Sequence, residues 1–497
     1  MNNTNPPSGD EMAAQIAQLA SSLRSVEQRL DQSNHSASDG LTVIISSLIF
    51  FMQAGFAFLE TGAVRPGKEK PILFKNFLVL CVSTLSFWAI GYALGYGDGN
   101  SFIGTTFFFL SGFGNAEGIH YSDWLSSFVY AATTSTVATG AMAERAKLVS
   151  YLLLSFFVAG FIHPVVTHWA WKEGGWLHRG IDVDNTTITY TDFAGSGVVH
   201  VTGGTVAFLG AAILGPRLGR FDESGKPIPL KLKNAAMSAL GGFILFLGFL
   251  LFLCRRDHNA FYVDVELAFG RAQVNTLVAS SGAALTSLIL FSILNARKSS
   301  STIGRSQLLT TLNGGLAGLV AICAGARTVH SYIAFIIGIV AGLSYIGWSK
   351  LILRWGIDDP VESISVHLGA GIWGVIAEGL FSTEHGLLYK WTRVSIVFLM
   401  WNVLAVVAIF AWTAAMSALL FGIMHAFNLL RLSSEDELGG TTGKKSRISF
   451  SDIPIIRRLN RRIRLSTTAT TISNPDGENE NQDVFDGEDK GQDATTV

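Results

Sequence analysis

Two histidines in apolar stretches of this chain each follow an aspartate by eight residues: Asp192 and His200 in DFAGSGVVH, and Asp359 and His367 in DDPVESISVH. Eight residues is about two helical turns, so the spacing predicts that carboxylate and imidazole share one helix face in each copy. Imidazole changes charge near neutral pH, and an ionisable group inside hydrocarbon is costly enough to imply a function. The chemistry expected is a proton relay, or hydrogen bonding to a small polar solute. A pair repeated at equal spacing predicts two halves converging on one pathway.

The elements that must hold these pairs are membrane helices. The chain is 49% hydrophobic and only 15% charged, with 52 glycines in 497 residues, whereas soluble domains carry about 25% charged residues. Apolar runs long enough to span recur at 41–61, 76–97, 124–143, 148–171, 193–215, 234–254, 272–296, 307–326, 329–349, 363–381 and 394–427. The expected fold is an all-α polytopic membrane protein of eleven transmembrane helices. Its orientation follows from where Lys and Arg gather, because cytoplasmic loops carry their excess. Arg65, Lys68, Lys70 and Lys75, then Arg145 and Lys147, then Arg217 to Lys233, Arg297 to Arg305, and Lys350 with Arg354 fall after odd-numbered spans. The loop 98–123 holds none and carries Asp98, Glu117 and Asp123. The N-terminus is therefore expected outside and the C-terminus inside, with the bilayer as an obligatory partner.

Three regions follow: an outer segment 1–40, a membrane domain 41–430 and an inner tail 431–497. No cleavable signal is visible in the polar first forty residues. Within them Met12, Ile16, Leu19, Leu23, Val26 and Leu30 alternate by four and three, the seam of a short coiled coil. This suits either an amphipathic helix lying on the protein or a bundle joining protomers. The tail is basic over 444–464, which suits anionic lipid, and then acidic and polar, which suits disorder and cytoplasmic regulators. Ser466 is a candidate phosphorylation site, and Asn2, Asn34 and Asn185 lie in glycosylation sequons. Cys81, Cys254 and Cys323 read as packing residues. No phosphate loop, metal cluster, cofactor motif or nucleophile–base set occurs, so an enzyme is not expected. Neither is a nucleic-acid partner.

Several stretches carry a family resemblance: FFMQAGFAFLETGAVRPG, GAMAERAK, HPVVTHWAW, DFAGSGVVHVTGG, LNGGLAGLVAICAG, GIDDPVESISVHLGAGIWG and LRLSSEDELGG. In this order they make the chain resemble the ammonium transporter family (Amt/Mep, with Rh proteins as distant relatives) from about Leu41 to Gly440. The resemblance implies spans 1–5 and 6–10 as inverted repeats, a last long helix, and homotrimers with a pore in each protomer at the plasma membrane, serving nitrogen uptake. His200 and His367 match its twin histidines, Trp171 its cation-binding cage tryptophan, and Tyr130 and Phe252 its stacked gate phenylalanines. Asp192 would fix the outer vestibule and steady the cation at a distance. Asp359 is expected to cap its helix beside Pro360, and Glu60 and Glu144 to partner backbone and basic residues at the inner ends.

The chain departs from the family at the outer mouth. Its sixth span ends FLGFLLFLCRRDH, which puts Arg256, preceded by Arg255, where the family has a cage serine, and Ser127 stands where glutamine is common. Two guanidinium groups repel an ammonium ion. Glu378, eleven residues after His367, is the expected counter-ion and a mouth gate with them. The expected function is transport of ammonium or ammonia: recruitment at an aromatic site, deprotonation, and passage along an apolar bore. The alternatives are a non-conducting ammonium sensor, or a family member whose substrate the arginines have changed.

Overall fold

A computed structural model describes residues 9–113, 121–253, 265–296 and 303–439. Arg255, Arg256, Cys254, Ser466 and Asn2 lie outside these residues. Among the described residues nine helices are long and apolar enough to cross a membrane, the last of them Arg393–Ala426. Two of the eleven expected spans fall short of that criterion: Tyr121–Gly140, diluted by serine and threonine, and the apolar run Gln307–Ile322, which is short. Capping side chains start several helices. Asn234 Oδ1 accepts from the backbone of Ala236 and Met237 ahead of Ala235–Phe252, and Thr392 Oγ1 accepts from Ser395 ahead of Arg393–Ala426. The described exception to an all-helical structure is a hairpin, Ile181–Val183 paired with Thr186–Ile188. Asp184 and Asn185 at its tip take positive φ, as a tight primed turn requires.

Two elements run across the limits of the regions read from the sequence. The helix Gly9–Phe50 runs unbroken through residue 40, where no proline interrupts SASDGLTV. Its seam residues, from Met12 at 49% exposed to Leu19 at 74%, do not lie on the described part of the protein. At the other end the folded chain continues past 430. Arg431 donates to the carbonyls of Leu214 and Pro216, and the short helix Ser434–Leu438 buries Glu437, which accepts from Leu218 N at 2.7 Å and Arg431 at 2.9 Å. These bonds satisfy carbonyls left open at the end of Thr202–Leu214.

The segments bearing the histidines are wound wider than an α-helix, as are Phe87–Gly91 and Val158–Ile162. Ser196–Val201 and Ile364–Gly369 are π-helical, and each passes into an α-helix, Thr202–Leu214 and Ala370–Phe381. Wide turns of this kind gather at functional sites. Each π segment packs on the other and on the α-helix that follows the other. The crossing is so close that two glycines are required. A Cβ on Gly204 would meet Leu368 N at 2.4 Å, and one on Gly371 would meet Ser196 O at 2.6 Å. Each glycine lies four residues after its histidine.

Candidate functional site

The aspartates precede their helices rather than sharing a face with the histidines, which corrects the reading from spacing. Gly195 at φ 94° turns the chain so that Asp192 faces back onto the helix start. Its carboxylate accepts from the backbone of Gly195 at 3.0 Å, Gly197 at 2.8 Å and Val198 at 2.9 Å, and from the Tyr190 hydroxyl at 3.1 Å. Four donors on one buried carboxylate offset the cost of taking it from water. Asp359 caps the second segment in the same manner, accepting from Val361 at 3.3 Å and Ile364 at 2.8 Å.

The crossing brings His200 and His367 together. Their rings stack with centroids 5.1 Å apart and planes 18° apart, and Nδ1 faces Nδ1 at 3.2 Å. Both are buried. On one side His200 stacks on Phe249, centroids 5.5 Å apart, and touches Phe252 at 6.0 Å. Phe252 lies 4.3 Å from Tyr130, tilted by 56° rather than stacked, and the Tyr130 hydroxyl donates to Phe252 O at 2.8 Å. Tyr130 in turn meets the edge of half-buried Trp171 at 5.4 Å, whose indole Nε1 donates to Asp192 O at 2.7 Å. Trp171, Tyr130, Phe252, His200 and His367 therefore form one row. Past His367 lies a cavity lined by Phe56, Leu59, Val137, Leu245 and Leu316 together with the polar side chains of Glu60, Thr136, Asn313 and Ser363.

Glu378 is buried. Its Oε2 accepts from the Thr328 hydroxyl at 2.7 Å. The counter-ion role given to it with Arg255 and Arg256 lies outside the described residues. Two nearby groups make contacts that the sequence reading did not foresee. The Arg327 guanidinium sits 4.7 Å over the ring of Phe193, the residue after Asp192; in ICAGARTVH it has no motif to mark it. Cys323, read as packing, places Sγ 3.8 Å from His200 Nε2. That contact spans 123 residues, and no local pattern signals it.

The opposite end of the bundle is ionic. Glu144 binds both Arg65 and Arg217, the latter at 2.5 Å, and Asp358 binds Arg217 at 2.7 Å and Arg220 at 3.1 Å. Burial works against the Asp358 carboxylate, but the bonds and charge of Arg217 prevail and hold its pKa down at about 2. Glu60 pairs with Lys75 at 2.7 Å.

A bundle of apolar helices, crossed at a buried imidazole pair that adjoins a row of aromatic rings, is the architecture of a multi-pass membrane protein. The model of the Ammonium Transporter Family matches residues 41–444. A putative ammonium transporter 1 of Caenorhabditis elegans is 36% identical over 412 residues, which cover 79% of this chain and 74% of that one. The ammonium transporter Amt2 of Archaeoglobus fulgidus is 35% identical over 418 residues, 80% and 84% of the two chains. The chain belongs to the ammonium transporter family. Among solved structures, a sensor Amt protein superposes with a TM-score of 0.71 at 27% identity, covering 80% of this chain and 95% of that one. Candida albicans Mep2, at 23% identity and a TM-score of 0.67 over 80% of this chain and 87% of that one, shares the fold.

Proposed function

We propose that this chain carries ammonium nitrogen across a cell membrane as ammonia, passing His200 and His367. The observation that carries the proposal is the buried Nδ1 to Nδ1 contact at 3.2 Å where the two crossing segments meet. An intact ammonium ion in hydrocarbon loses hydration worth many kcal/mol, whereas neutral ammonia loses far less. The cation is therefore held at the outer end by the faces of Trp171 and Tyr130, through cation–π attraction, with Asp192 steadying it through the helix start. It sheds its proton there, and ammonia slips past Phe252 to the histidines. Because the Tyr130 and Phe252 rings are in contact, passage requires them to move apart. On this reading the chain crosses eleven times with its N-terminus outside, spans 1–5 and 6–10 being inverted repeats, and assembles as a homotrimer in the plasma membrane.

The test is growth of a yeast lacking its own ammonium uptake, on low ammonium, when it expresses this chain. Wild type should restore growth and His200→Ala should abolish it. Growth restored as well by His200→Ala as by wild type refutes a pore through the pair.

A second reading, an ammonium sensor that does not conduct, draws support from the positive charge at the mouth. Arg327 lies over Phe193, and Arg255 and Arg256 stand in the sequence where the family carries a serine site. If wild type fails to grow and Arg256→Ser grows, the sensor or changed-substrate reading replaces transport.

A further inference from the structure

The Cys323 thiol has one proton and two neighbours. Its Sγ lies 3.2 Å from Leu319 O and 3.8 Å from His200 Nε2. A carbonyl oxygen can only accept, so the thiol proton goes to Leu319. The sulfur then presents lone pairs to His200, and a bare Nε2 there would set lone pair against lone pair. His200 must carry its proton on Nε2. A neutral imidazole has a single N–H, so His200 Nδ1 is bare and accepts from His367 Nδ1 at 3.2 Å. His367 is thereby protonated on Nδ1 and bare on Nε2.

We propose that Cys323 is a positioning residue that holds the histidine pair in one tautomer, leaving His367 Nε2 as the single free acceptor of the pair. The chain of bonds runs Leu319, Cys323, His200, His367, and every member but the last nitrogen has a partner among the described residues. Its meaning for transport rests on the function proposed above: ammonia, rich in N–H, donates to His367, the histidine that lines the inner cavity. His200 offers it no lone pair. The pair is thus asymmetric although its two rings occupy equivalent places.

Tautomers are read directly from the nitrogen resonances of histidine, since bare and protonated ring nitrogens separate widely. The experiment uses full-length protein with 15N-labelled histidine in nanodiscs, with His200 and His367 assigned by loss of signal in His200→Asn and His367→Asn. In wild type, His200 should be protonated on Nε2 alone and His367 on Nδ1 alone. Cys323→Val should give His200 a mixture of both tautomers, and Cys323→Ser, whose hydroxyl can make the same two bonds, should restore one. Wild-type His200 protonated on Nδ1 overturns the proposal, and so does a spectrum that Cys323→Val leaves unchanged. Should Cys323→Val not fold, the wild-type spectrum decides alone. Because the spectra require no transport, this inference and the transport reading fail separately.

Discussion

The segments 192–204 and 359–371 share their geometry and differ in their surroundings. Both begin with an aspartate that caps a π-wound turn, both place a histidine eight residues on, and both put a glycine against the backbone of the other. Around Asp192 stand Tyr190, Trp171 and Phe193, with Arg327 over the last. Beside Asp359 stands Asp358, locked to Arg217 and Arg220. Equivalent backbone thus supplies the crossing, and unequal neighbours make one end aromatic and the other ionic.

That contrast can be broken most forcefully at the ionic end. Asp358→Ala leaves buried Arg217 without one of its two carboxylates and half-buried Arg220 without this partner, and loss of one partner of a buried pair costs about 3–5 kcal/mol. Thermal unfolding of the purified protein should fall sharply. Asp192→Asn keeps shape and acceptor oxygen, and should fall less; the reverse order would refute the division into two ends.

The shared geometry is tested by Gly204→Ala and Gly371→Ala. Each drives a Cβ into backbone on the opposite segment, at 2.4 Å and 2.6 Å, and overpacking of this kind costs about 1–3 kcal/mol or more. Both variants should lose stability to a similar degree. A tolerated substitution at either glycine would show the crossing to be looser than drawn.

The two adjacent aspartates sharpen the comparison through pH. Asp358 has a folded pKa of about 2, below its unfolded value, so its stabilising effect is present above the unfolded value and is lost as pH falls toward 2. Burial raises Asp359 to about 6, with Glu362 adding to the rise and the Ile364 N–H opposing it. Its sign is opposite: its contribution is full below the unfolded value and is lost as pH rises through about 6. Asp359→Asn, which still caps, should therefore gain melting temperature over wild type above pH 6 and lose that advantage below pH 4. A constant difference across this range would contradict the burial argument.

The smallest effect is expected at the aromatic end. Tyr130→Phe removes the hydrogen bond to Phe252 O, worth about 1 kcal/mol. If parting these rings limits passage, uptake should rise by up to about fivefold. Slower uptake would mean that the hydroxyl serves the substrate rather than the gate.

Much of this site is legible in the residues, and the reasons are local. Asp192 and Asp359 stand before glycine-rich or proline-marked helix starts, which is where caps belong. His200 and His367 stand out because charge-capable groups in apolar runs are rare. The face-sharing inference failed because it assumed α-helical winding, whereas a loop turn and π winding separate each aspartate from its histidine. Cys323 was read as packing and Arg327 drew no reading, because a thiol or an arginine near a helix end looks the same whether it packs or bonds. The burial of Glu437 by Arg431 and Leu218 was not legible in SSEDEL for a like reason, since its partner Leu218 lies more than two hundred residues away.

By itself the sequence determined that this is a membrane protein of many helices, where two matched histidine segments lie, and which family it resembles. These follow from composition and order, since hydrocarbon admits few structures besides apolar helices. Only the tertiary structure decided that the two imidazoles meet at Nδ1, that a cysteine more than a hundred residues away touches one of them, and that two arginines of a distant loop converge on Asp358. Such contacts are fixed by how helices cross, and crossing depends on the fit of surfaces far apart in the chain.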